Sequence, residues 1–267
     1  MDDIATYNQK RWKALAAANA LFTRPKADLS VEDARAIAGV ENANIWKGKQ
    51  VLCLAGGGGQ QSVVYGLLGA AVTVVDLSAE QLERDRLMAK HHQLSLTIVQ
   101  ADMRDLSQLA SDTFDYVIQP YSLNFVPDVT EVFAQVAYVI KPQGRYEFMC
   151  ANPFAAGVKE RDWNGKGYTV KRPYQQGERI TTPDQDWVYD REQHGEIPPP
   201  VEYRQTLSTL INGLVNHGFV IQHLQEIMAD AVNIAAEPGT WDHFTAVLPP
   251  WLTIRAVYHP ELFSKSS

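Results

Sequence analysis

Four consecutive glycines between two apolar runs constrain this chain more than any other feature: Lys49 to Ser78 reads KQVLCLAGGGGQQSVVYGLLGAAVTVVDLS. Val51, Leu52, Cys53 and Leu54 include no polar residue, as a strand covered on both faces requires. Gly56, Gly57, Gly58 and Gly59 follow, where a Cβ would keep a ligand away from the backbone N–H groups. Gln60 to Leu68 reads as a helix stopped by Gly69, and Val72 to Val75 as a second strand delivering Asp76 at its carboxyl end. Strand, glycine loop, helix and acid-tipped strand make up the nucleotide half-site of a doubly wound sheet, with the acid facing ribose hydroxyls.

The alternation continues downstream. Ser78-Ala79-Glu80-Gln81 is a capping box opening a helix that ends near His91 and His92. Leu94 to Gln100 is a third strand followed by Ala101-Asp102-Met103, and Phe114 to Ile118 a fourth followed by Gln119-Pro120-Tyr121-Ser122-Leu123-Asn124. A helix over Val129 to Ile140 and a turn at Lys141 to Gly144 lead into a fifth strand, Arg145 to Cys150. This predicts an α/β, Rossmann-like doubly wound sheet with helices on both faces. Right-handed crossovers put Gly56–Gly59, Asp76, Asp102 and Gln119–Asn124 on one rim.

Two segments flank that core. Residues 1–48 read as a helical lid, with helices over Tyr7 to Phe22 and Val31 to Ala38, expected to lie across the mouth of the glycine loop. Residues 49–151 and 202–267 form the core, the latter with a helix from Tyr203 to His217 and strands at Phe219 to Glu226 and Trp251 to Tyr258. Residues 152–201 break the alternation and read as an inserted cap, with a hairpin expected between Tyr168–Arg172 and residues 179–182.

Formal net charge is −7, from 24 basic and 31 acidic residues, which gives no electrostatic footprint for nucleic acid. The start MDDIATYNQK is too acidic for a secretory signal, and no apolar run nears the roughly 20 residues of a membrane span. Cys53 and Cys150 read as buried hydrophobes of a reducing cytoplasm. The pair His91-His92 at a helix end suits the macrodipole and lacks further ligands for a metal, so none is expected.

From Val51 through Cys150 and again from Tyr203 to Tyr258, these motifs resemble class I S-adenosylmethionine-dependent methyltransferases. The resemblance is nearest to a bacterial group of small-molecule enzymes with unassigned acceptors, whose loop also reads Gly-Gly-Gly-Gln-Gln. It implies a seven-stranded sheet whose last strand is antiparallel, and S-adenosylmethionine as cofactor. It further implies that backbone at Ala55, Gly57 and Gly59 contacts the methionine part, beside Gly56 and Gln81. Asp76 would take both ribose hydroxyls, Leu77 and Met103 would flank the adenine, and Asp102 would accept from its amine. Gln119 and Tyr121 would border the methyl group. Two departures stand out: Cys53 replaces a common acid and Ala55 a glycine. Gln60 and Gln61, or Tyr7 and Asn8, are the candidates to hold the donor's ammonium instead. The alternatives are a non-catalytic protein binding the same cofactor, or an NAD-dependent dehydrogenase. A pyrophosphate requires free loop N–H groups and no nearby anion, and an acid after the third strand suits the methyl donor.

Methyl transfer is an in-line displacement, so positioning and exclusion of water supply much of the rate. A hydroxyl acceptor also needs a base, for which His194 in the cap is the first candidate, with Tyr121 and Asn124 to orient the acceptor. Trp163, Tyr168, Trp187 and Tyr189 either line an acceptor pocket or form the cap's own small core. The expected partner is a small organic molecule; the acceptor atom stays open among O, N, C and S.

Overall fold

The computed structural model describes residues 2–181, 188–228 and 233–262. Alternation within one strand already explains its layering. In β1 (Gln50–Leu54), Leu52 and Leu54 enter one buried cluster while Val51 and Cys53 enter another on the opposite face. Both faces of the sheet therefore need covers. β2 (Ala71–Asp76), β3 (Leu96–Gln100), β4 (Phe114–Gln119) and β5 (Ile140–Ala151) join β1 in parallel. β8 (Phe219–Ile227) and β9 (Trp251–Tyr258) complete a seven-stranded sheet in the order β3-β2-β1-β4-β5-β9-β8, with β9 antiparallel to both neighbours. The doubly wound sheet with an antiparallel last strand is thus the architecture present.

On one face α5 (Val129–Val139) and α7 (Leu207–Asn216) pack together over Phe133, Tyr146, Phe148 and Leu210. Gly213 of α7 has Phe133 ring carbons 3.0 and 3.1 Å from where a Cβ would stand, so the close crossing needs a glycine. The other face carries α3 (Gln61–Leu67) and α4 (Ala79–His91), with α2 (Val31–Ile37) against α3. Strand order reverses between β1 and β4, and it is there that an open α/β sheet leaves a crevice.

The flanks differ from the sequence expectation in detail. α1 spans Asp3–Ala17 because Asp2 caps it through Ala5 N–H at 2.8 Å, and Asn19 breaks it in the left-handed region at φ 47°. α7 starts at Leu207 and not at Tyr203, since the Thr206 hydroxyl caps it at Thr209. Residues 179–181 do not pair with Tyr168–Arg172 as the expected hairpin required, and Thr182 lies outside the described residues. β6 (Arg179–Thr181) pairs antiparallel with β7 (Val201–Tyr203), the segment just past the proline run. A four-residue helix, α6 (Arg191–His194), lies between them in sequence, and α8 (Trp241–Val247) occupies the insertion before β9. No helix among the described residues is long and apolar enough to cross a membrane.

Candidate active site

Above the carboxyl ends of β1, β2, β3 and β4 lies a cavity of about 930 Å³. The glycine loop forms its floor. Ala55 adopts a left-handed φ of 47°, a conformation that disfavours any Cβ and that reverses the chain directly after β1. The next N–H groups turn toward the protein: Gly57 donates to Asp76 Oδ2 at 2.9 Å, Gly58 to Asp85 Oδ2 at 2.8 Å and Gly59 to Asp85 Oδ1 at 3.1 Å. A Cβ at Gly57 would stand 2.8 Å from Gln81 Cβ and 2.9 Å from Asp76 Cγ, so only glycine lets the loop approach this carboxylate. Asp76 also accepts from Ser78 N–H at 2.8 Å. Burial pushes its pKa up, against the pull of these N–H groups. Asp85 is fully buried and additionally accepts from the Ser62 hydroxyl; desolvation raises its pKa to about 6.

Of the residues drawn from the resemblance, Ala55, Gly57, Gln61, Asp76, Leu77, Gln81, Asp102, Met103 and Tyr121 all line the cavity. Gln60 and Asn8 line it too, whereas the Tyr7 hydroxyl is engaged with Pro199 O at 2.8 Å. Gly56 and Gly59 lie outside the lining; a Cβ at Gly59 would meet Met88 Cγ at 2.6 Å, so its tight neighbour is α4. Gln119 is also outside. It is fully buried, accepting from Tyr146 Oη at 2.6 Å and donating to Ser122 Oγ at 2.9 Å and to the Met103 sulfur at 3.2 Å. Cys53 is fully buried within the sheet, where desolvation pushes its thiol pKa up, so it cannot act as the acid it replaces. Gln81 Oε1 is buried without a hydrogen-bond partner, an acceptor in the cavity wall that a donor group on a ligand would satisfy.

A charge clasp closes one side. Arg104 meets Asp102 Oδ2 at 2.7 Å and reaches Asp2 at 2.8 Å, joining the cap residue of α1 to the turn after β3. The guanidinium holds the Asp2 carboxyl well below the usual range, and the two carboxylates raise the pKa of Arg104. Ile4, Ala5, Asn8, Arg11, Trp12 and Leu15 of α1 roof the cavity. Arg11 is buried and donates to Pro198 O at 2.6 Å, so the proline run anchors the roof through its carbonyls.

Phe125, Met149, Trp241 and Trp251 also line the cavity, together with Trp12 and with Glu160 and Glu202. The Tyr121 hydroxyl donates to Glu202 Oε2 at 3.1 Å. Neither acidic residue stands out in the sequence; Glu202 is a lone acid in a three-residue strand. Two of the proposed catalytic residues are placed elsewhere. His194 ends α6, is exposed, and does not line the cavity; its N–H bonds to Asp190 O at 3.1 Å. Asn124 is buried with both amide ends committed to the chain, accepting from Ala151 N–H at 2.7 Å and donating to Tyr203 O at 3.3 Å. The described cap aromatics do not line the cavity; they pack against α8 and α1. Trp163 and Tyr168 meet at 5.2 Å, and the Tyr168 hydroxyl lies 2.8 Å from His243 Nδ1. Tyr189 packs with Leu15 and Ile197; Trp187 lies outside the described residues. His91 and His92 pack edge to face at 4.8 Å, and no group of three His, Cys, Asp or Glu able to hold a metal occurs among the described residues.

Residues 52–148 match the family model described as a methyltransferase domain. The chain is 42% identical to an uncharacterized methyltransferase, YbaJ, of Bacillus subtilis over 98 residues, 37% of this chain and 38% of that protein. It is 34% identical to a ubiquinone biosynthesis O-methyltransferase of Vibrio campbellii over 113 residues, 42% of this chain and 48% of that protein. The chain thus spans less than half the length of these curated relatives. Its fold is similar to a crystal structure of an S-adenosylmethionine-dependent methyltransferase from Mesorhizobium loti, with a TM-score of 0.59 and 23% identity, covering 87% of this chain and all of that one.

Proposed function

We propose that this chain, whose residues 52–148 match a methyltransferase-domain family model, transfers the methyl group of S-adenosylmethionine to a small organic acceptor bound beneath α1 and α8. The observation that carries this reading is the electrostatics of the glycine loop. Gly57, Gly58 and Gly59 donate their N–H groups to Asp76 and Asp85, so these donors are already committed to carboxylates where a pyrophosphate needs them free. A cationic methyl donor suits such a loop, and a dinucleotide does not. The residues present fit the donor: Asp76 at the β2 tip for the ribose diol, Leu77 and Met103 beside the adenine, and the unpaired Gln81 Oε1 for an N–H or O–H.

When bound, the donor supplies a methyl group on a positively charged sulfur. The chain's part is to hold that carbon in line with a nucleophile and to exclude water, which the α1 roof and the aromatic walls accomplish. The two relatives named above align over 98 and 113 residues, less than half of each, so their acceptors are not carried over. The free, buried Cys53 and Cys150 accord with a reducing cytoplasm, and the net charge of −7 with a small molecule rather than nucleic acid. Calorimetric titration tests the proposal: S-adenosylhomocysteine binds and NAD(H) gives no heat. Binding of NAD(H) without S-adenosylhomocysteine would overturn it. Incubating the protein with labelled donor and a metabolite extract then identifies the acceptor.

A further inference from the structure

Among the described residues, seven titratable side chains line the cavity: Asp76, Asp102, Glu160, Glu202, Arg11, Arg104 and Tyr121. Histidine is not among them. Asp76 is held by the loop N–H groups, and Asp102 is clasped by Arg104. Glu202 differs. It sits in β7 opposite Ile180, partly open to the cavity, with Tyr121 donating to Oε2 at 3.1 Å. Tyr121 follows Pro120, whose Cδ lies 3.6 Å from the Cβ position of Gly56, so the pair borders the loop that holds the donor. Trp12, Phe125, Trp241, Trp251 and Met149 line the same cavity.

Building on the methyltransferase reading, we infer that Glu202, oriented by Tyr121, receives the acceptor's proton and selects acceptors that carry one: small hydroxyls or amines on an apolar body, neutral or cationic. In the step, the acceptor's X–H bond gives its proton to a Glu202 oxygen. The electron pair left on X forms the bond to the methyl carbon, and the pair of the broken S–C bond returns to the donor sulfur. Burial raises the pKa of Glu202, partly offset by the Tyr121 hydroxyl and the charges of Arg11 and Lys159, which makes the carboxylate a better proton acceptor than a solvated one. Aromatic walls favour a cation, and the four carboxylates of the lining, Asp76, Asp102, Glu160 and Glu202, outnumber its two guanidiniums, Arg11 and Arg104, which opposes an anion.

The test uses the full chain saturated with S-adenosylhomocysteine and three probes of one shape: benzylamine, benzyl alcohol and benzoate. Benzylamine and benzyl alcohol are expected to bind, and benzoate at least about tenfold more weakly. Glu202→Gln keeps a partner for Tyr121 and leaves S-adenosylhomocysteine affinity unchanged, but weakens benzylamine by about tenfold or more. Benzoate binding as well as benzylamine, or a Gln variant that binds benzylamine like the parent, would overturn the inference. Absence of S-adenosylhomocysteine binding in the parent refutes instead the reading beneath it. With an acceptor labelled from the extract, Glu202→Gln lowers transfer near neutral pH by roughly 100-fold or more. Its residual rate climbs with pH where the parent levels off; an unchanged rate and profile count against the assignment.

Discussion

Asp85 offers the sharpest test of how the glycine loop is held. Its carboxylate accepts from Gly58, Gly59 and Ser62, and desolvation moves its pKa from 3.8 to about 6. A folded state that holds the proton more tightly than the unfolded chain gains stability at low pH. That contribution is fully present below 3.8 and lost as pH rises through about 6. At about 1.4 kcal/mol per unit the whole effect is roughly 3 kcal/mol, of which about 2 kcal/mol falls between about pH 4.5 and about pH 7.5. Asp85→Asn keeps one acceptor oxygen but sets an amide N–H₂ against the Gly58 N–H, at a cost of about 1–3 kcal/mol at any pH. The variant is therefore less stable than the parent near pH 4.5, and the gap narrows by about 2 kcal/mol by pH 7.5. Urea unfolding across that range measures it, since urea, unlike guanidinium, leaves charge effects unscreened. Asp76 and Glu202, also raised by burial, are present in both proteins and largely cancel. Parallel stability curves would show that the Asp85 charge carries no penalty, and the account of the loop would fail.

Three further outcomes follow from the site. Asp76→Ala removes the acceptor of Gly57 and Ser78 and the anchor for a ribose diol, so S-adenosylhomocysteine binding weakens by roughly 100-fold or more in calorimetry. Gly57→Ala drives a methyl to 2.8 Å from Gln81 Cβ and 2.9 Å from Asp76 Cγ. Thermal unfolding should register the roughly 1–3 kcal/mol of overpacking together with a loss of donor affinity; parental values for both would refute the contact. His194→Ala, at an exposed helix end outside the cavity, should leave turnover on the labelled acceptor at the parental rate, and a loss of turnover would restore it as a base.

The cavity rim over β2, β3 and β4 was legible because strand ends determine it. Asp76, Asp102 and Tyr121 stand where apolar runs stop, and a parallel sheet gathers such positions on one rim. Asp85 was not legible: within ERDR it reads as an ordinary charge on a helix, and only tertiary packing brings it beneath Gly58 and Gly59. Glu202, Arg11, Trp241 and Trp251 share one cavity although they come from four separate segments, and no local period relates them. His194 was singled out for its residue type beside the proline run. What that run contributes is Pro200 in the cavity wall and the carbonyls of Pro198 and Pro199 that hold α1.

The Arg104 clasp has a thermodynamic corollary. Asp2 caps α1 and binds Arg104 with the same carboxylate, while Arg104 also grips Asp102 on the donor rim. Folding of the first helical turn and the arrangement of that rim are therefore linked quantities. By reciprocity, any ligand that favours the clasped rim protects the amides of α1 from solvent, and fraying of α1 weakens that ligand by the same factor. Hydrogen exchange over Asp3–Ala17 thus reports the occupancy of any such ligand, readable before any acceptor is known.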